Sequence, residues 1–116
     1  MTSTVTETVL KLFRTTYNKA RYEYRYHKEK VNLLESFQQI QSKYVLNQQQ
    51  RNHYIIMYEM KCYQYMRETQ QLTNISNEIM KLYNELLITH KPGVTLFDTM
   101  IQCFIVDKQL PLALQV

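Results

Sequence analysis

The chain is 116 residues long and has one glycine, two prolines, two cysteines and no tryptophan. Both prolines lie beyond residue 90, so the first ninety residues carry almost no turn punctuation. Such a stretch argues against a β-rich or loop-rich fold and for an all-α body. Its Gln, Leu, Lys, Arg, Met and Glu content agrees, because these side chains lose little rotamer freedom in a helix. Cys62 and Cys103 are far apart and lack a CxxC partner, which argues for buried thiols over a metal or disulfide framework. No apolar run approaches the length needed to span a bilayer. The opening MTSTVTETV lacks the apolar core of a secretory signal. Phosphate-loop, dinucleotide, zinc-protease and nucleophile-elbow motifs are all missing. His27, His53 and His90 are widely spaced, and the carboxylates fall on polar faces with no converging pair. These absences point to a non-enzymatic chain with no metal of its own.

What is present is aromatic and basic. Ten Tyr and four Phe are a heavy load for one domain, and tyrosine suits half-buried faces where the hydroxyl stays wet. The net charge is +4 and all of it sits at the front. Residues 1–30 hold seven basic and three acidic residues, while residues 31–116 hold seven of each. A local positive field of this kind suits an acidic partner. Nucleic acid is not expected, because the excess is small and no nucleic-acid motif accompanies it.

The helical periodicity is readable along the chain. Val5, Val9, Leu12, Phe13, Tyr17, Ala20 and Tyr24 recur at three- and four-residue steps, predicting a first helix to about Tyr26. Thr4 and Glu7 form a T-x-x-E capping box at its start. A turn is expected at His27–Lys30 and a second helix over about Lys30–Tyr44. Asn47 is the expected cap of a third helix carrying Tyr54, Ile55, Tyr58, Cys62, Tyr65 and Met66 on its apolar face. Thr73–Ser76 predicts a break, with Ser76 capping a fourth helix whose inner residues are Ile79, Leu82, Tyr83, Leu86 and Leu87. One continuous helix from Gln48 to Ile88 is the competing reading. Lys91-Pro92-Gly93 is the clearest stop, followed by a short helix over Val94–Val106. Leu110–Leu114 reads as an extended apolar tail that would lie on a partner. The expected organisation is a helical bundle over residues 1–90 and a C-terminal extension over 91–116.

Leu12-Phe13-Arg14, with Ala20-Arg21 downstream and Val9 upstream, resembles the LYR-motif family of small mitochondrial helical proteins. Leu33-Leu34-Glu35-Ser36-Phe37 is similar to the family's second-helix element, and residues 51–68 to its third helix. The resemblance covers residues 5–70. Gln38 stands where the family carries Arg, and the loop between the first two helices is less marked than in the family. The resemblance implies a three-helix LYR-like bundle, here with an additional C-terminal helix and tail. It also implies docking of an acidic mitochondrial acyl carrier protein, whose acyl-phosphopantetheine arm enters a tunnel between the helices. In that picture Leu12 belongs to the motif, Arg14 contacts the carrier or its phosphate, Phe13 lines the tunnel mouth and Phe37 lines or closes it. On charge alone, Lys11, Lys19, Arg21 and Lys43 are added as carrier-facing residues. The expected role is an accessory subunit of a respiratory complex, complex I first, on the matrix side of the mitochondrial inner membrane. An assembly factor for iron–sulfur proteins, complex II or III or ATP synthase is the alternative. A helical scaffold without any carrier protein is the other.

Overall fold

The computed structural model describes residues 4–116, and among them the fold is all-α. Six helices follow in order: α1 Thr4–His27, α2 Leu33–Lys43, α3 His53–Glu68, α4 Ser76–Thr89, α5 Val94–Val106 and α6 Leu110–Gln115. No helix among the described residues is long and apolar enough to cross a membrane.

The helices form three successive hairpins, α1–α2, α3–α4 and α5–α6. Their first members make one layer in which α3 lies between α1 and α5. Their second members lie over the grooves: α2 touches α1 and α3, α4 touches α3 and α5, and α6 touches α5. The shortest dimension is 20 Å, the thickness of two helix layers.

The middle helix holds both halves together because its apolar residues point two ways. Ile55, Cys62, Tyr65 and Met66 join the core built by Val9, Phe13, Tyr17, Ala20, Leu33 and Phe37. Ile56 and Met60 join the other core, with Ile75, Ile79, Leu86, Leu96, Met100, Cys103 and Phe104. The single step from Ile55 to Ile56 moves from one core to the other, while the four-residue steps Ile56–Met60 and Cys62–Met66 stay within one, which suits a helix buried on two sides. Residues 91–116, expected as an extension, thus supply α5, the neighbour that α3 contacts most extensively.

Several helix ends differ from expectation. Thr4 is already inside α1, so it is not the cap that a T-x-x-E box requires. The second helix starts at Leu33, because Asn32 Oδ1 accepts from the Glu35 N–H at 3.1 Å. Asn52, and not Asn47, caps α3, accepting from the Tyr54 and Ile55 N–H groups at 3.1 and 3.2 Å. Asn47 instead accepts from the Gln50 N–H inside the preceding loop. Ser76 opens α4 but does not cap it. That function falls to Asp107, 31 residues away, whose carboxylate accepts from the Ile75 and Ser76 N–H groups and from the Ser76 hydroxyl. The chain breaks between α3 and α4, so the single long helix is not formed. Leu87, expected inside, is 45% exposed on the far side of α4. The expected extended tail is the helix α6, with Pro111 in its first turn and Ala113 buried against the second core.

Three of the reversals share one device without glycine. Lys28, Gln70 and Lys108 follow α1, α3 and α5 with φ of 57°, 62° and 60°. After α3 and α5 the next N–H reaches back five residues, Gln71 to the Met66 carbonyl at 2.9 Å and Gln109 to the Phe104 carbonyl at 2.8 Å. After α1 the Lys28 N–H bonds to Tyr24 and the Glu29 N–H to Glu23. The first hairpin is also tied to α3: the Val31 N–H donates to the Tyr65 hydroxyl, and Gln71 donates to the Val31 carbonyl.

Candidate functional site on the first hairpin

The tripeptide Leu12-Phe13-Arg14 sits midway along α1. At about 100° per residue, three consecutive side chains of a helix face three directions. Phe13 points into the first core and is fully buried. Its ring stacks on Phe37 with centroids 4.1 Å apart and planes 5° from parallel. Leu12 is half-buried on the α2 side, in an open groove of about 440 Å³ that it lines with Thr16, Ile40, Lys43 and Tyr44. Arg14 is exposed and makes no ion pair among the described residues.

The residues expected to act together therefore divide into three groups. Phe13 and Phe37 meet in the interior. Leu12 and Lys43 share the α1/α2 groove. Lys11, Arg14 and Arg21 lie on the outward side of α1, with Arg25 one turn further on; at 100° per residue these four fall within an arc of about 80°. Lys19 lies apart, across the helix from Arg21. All these cations are exposed, and none forms an ion pair among the described residues. Arg21 lies over the Tyr17 ring at 5.4 Å and Lys43 over Tyr44 at 5.5 Å, contacts that leave both charges in solvent.

The space where the resemblance implies a tunnel is filled by the Phe13–Phe37 stack. The pocket against Phe37, between α2 and α3, holds about 70 Å³. That is far below the 300 Å³ or so at which small-molecule sites begin. Its wall includes Glu59 and Cys62. Burial pushes the Cys62 thiol well above its ordinary value, so it is an unreactive neutral group there. A larger cavity, about 370 Å³, lies at the other end among Met80, Tyr83, Phe97, Met100, Phe104 and Leu112.

One polar cluster escaped the sequence reading. Arg51, in the loop before α3, forks onto Glu59 at 2.7 and 2.9 Å and onto Glu85 at 2.6 and 3.2 Å. Gln41 from α2 donates to the same Glu59. Burial raises the Glu59 pKa, and the Arg51 guanidinium opposes it; burial tends to lower the Arg51 pKa, but its hydrogen bonds to Glu59 and Glu85 outweigh this and raise it. Its geometry is that of a bidentate charge pair joining α2, α3 and α4. The only sequence signal was a Glu at a position one turn from buried Ile55 and Cys62. Among the described residues no group of three His, Cys, Asp or Glu side chains is placed to hold a metal ion.

Searches of protein-family models, curated proteins and solved structures give no match to this chain.

Proposed function

We propose that the chain is a non-catalytic helical docking module that offers the cationic side of α1 to an acidic protein. One observation carries this reading: Lys11, Arg14, Arg21 and Arg25 line one exposed side of α1, with Glu7 the acidic residue at its start, and none of the four forms an ion pair among the described residues. Cations left free on a rigid helix strengthen charge-matched encounter and fix its register. Apart from the Arg21 contact with the Tyr17 ring, the fold's own contacts lie elsewhere.

In its finer form the acidic partner is a mitochondrial acyl carrier protein and the chain is an accessory subunit of a respiratory complex. The LFR motif and its charge supply the support. The Leu12–Lys43 groove adds a place, outside the core, for an apolar arm beside a cation. A scaffold without a carrier is the second reading, and the packed Phe13–Phe37 interior favours it, since an acyl chain entering there would first have to part the rings.

Titrating the chain with apo, holo and acylated forms of a mitochondrial acyl carrier protein tests both. Tight binding that rises with acylation and is lost in Arg14→Glu supports the carrier form. Equal, salt-sensitive binding of all three supports docking by charge alone. If none binds at low salt, the carrier form is wrong.

A further inference from the structure

The helix α5 is rich in apolar residues, yet some of them lie exposed on its outward side. Its sequence VTLFDTMIQCFIV holds a single charge, Asp98. Leu96, Met100 and Cys103 face the second core, and the polar residues Thr95 and Gln102 are exposed at the margin of the opposite side. On the opposite side Val94 and Ile105 are 75% and 53% exposed. Asp98 is exposed between them and has no ion pair among the described residues, and Ile101 is half-buried.

These four residues have a specific spacing. Val94, Asp98, Ile101 and Ile105 are separated by four, three and four residues, the step of a coiled-coil seam. The seam lies outward, where the layer α1–α3–α5 stops. We infer that it receives one helix of a partner protein, laid along α5 much as α5 is laid along α3. That helix carries an apolar stripe at three- and four-residue spacing, broken by one Lys or Arg opposite Asp98.

Asp98 decides among occupants. A second copy of this chain, seated seam to seam, would bring Asp98 against Asp98, or leave it facing isoleucine, both unfavourable in a drying contact. A basic residue in the partner stripe converts the same carboxylate into a register pin, the use to which single polar seam residues are put. The partner's own chemistry thus differs from that expected at α1, where an acidic protein is called for.

The test uses a fluorescein-labelled designed helical peptide of roughly 20 residues, Leu at the seam positions and one central Lys, beside a twin with Glu for Lys. Anisotropy titrations with the full chain should show the Lys peptide binding about tenfold more tightly than its twin. The Asp98→Lys chain should invert that preference, and either Ile105→Asp or Val94→Asp should abolish binding while circular dichroism keeps its helical signal. Binding of neither peptide, or a preference that Asp98→Lys does not invert, overturns the inference. So does a sedimentation series showing that the chain forms a dimer broken by Ile105→Asp, because the seam would then belong to a second copy.

Discussion

The first and last helices of the inner layer turn different chemistries outward. The outward side of α1 carries Glu7, Lys11, Arg14, Asn18, Arg21 and Arg25, all exposed and polar. That of α5 carries Val94, Ile101 and Ile105 around Asp98, with Gln102 at its margin. Both helices pack on α3 through equally apolar inner sides. The inner sides therefore explain the fold and leave the outer sides free to differ. A solvated end needs no cover, whereas an aliphatic end gains from one. The lesson is that burial on one side of a helix says little about the use of the other.

The sharpest way to break this comparison is at the joint between the halves. Arg51→Ala leaves Glu59 buried without its cation, at a cost of about 3–5 kcal/mol. Urea unfolding followed by amide exchange should show α2 and α4 loosening together, because Gln41 and Glu85 meet at this cluster. Loosening of only one of them would mean that the halves are not coupled there. Phe13→Ala and Phe104→Ala come next, each costing about 3–5 kcal/mol at the upper end of what the two cores can relax around. If the molecule melts as one unit, both lower the midpoint without splitting the calorimetric transition; a split transition would separate the halves.

A smaller effect belongs to the second half alone. Burial tends to raise the Asp107 pKa, but its hydrogen bonds from Ser76, the Ile75 N–H and Arg67 outweigh this and hold the carboxyl below its usual range. The unfolded chain then binds the proton more readily than the folded one. Stability from this group is present above the ordinary carboxylate pKa and is lost as pH falls below about 4 towards the folded value. Asp107→Ala should cost about 2–3 kcal/mol at neutral pH by leaving buried donors unpaired. It should also flatten the acid limb of a stability–pH curve, and an unchanged slope would remove Asp107 from the account. Smallest of all, Lys11→Glu with Arg25→Glu should shift thermal stability by less than about 0.5 kcal/mol, since neither side chain is packed.

Much of the fold was legible in the sequence. Three- and four-residue periodicity marked α1, and Pro92-Gly93 marked the start of α5, because both are local signals. Long-range partners were not legible. Asp107 caps a helix 31 residues away, and Arg51 meets Glu85 across 34, with no pattern in the sequence linking them. The cap moved from Asn47 to Asn52 because two asparagines flank one loop and only the fold chooses between them. The tail became α6 because α5 offered it an apolar surface, a tertiary cause. At the first hairpin, the sequence shows the Leu12-Phe13-Arg14 tripeptide but not the three directions into which the helix sends it.

The left-handed residues after α1, α3 and α5 explain how a chain can fold back so often with one glycine. A side chain in that backbone region costs about 1–2 kcal/mol in the folded molecule. Glycine would relieve this, but it would also loosen the unfolded polypeptide, a penalty of about 0.4–1 kcal/mol. The second effect offsets about half of the first, so lysine and glutamine serve as clasps at a net cost of roughly 1 kcal/mol each. Scarcity of glycine, in a chain of this architecture, is then no measure of how many times it reverses direction.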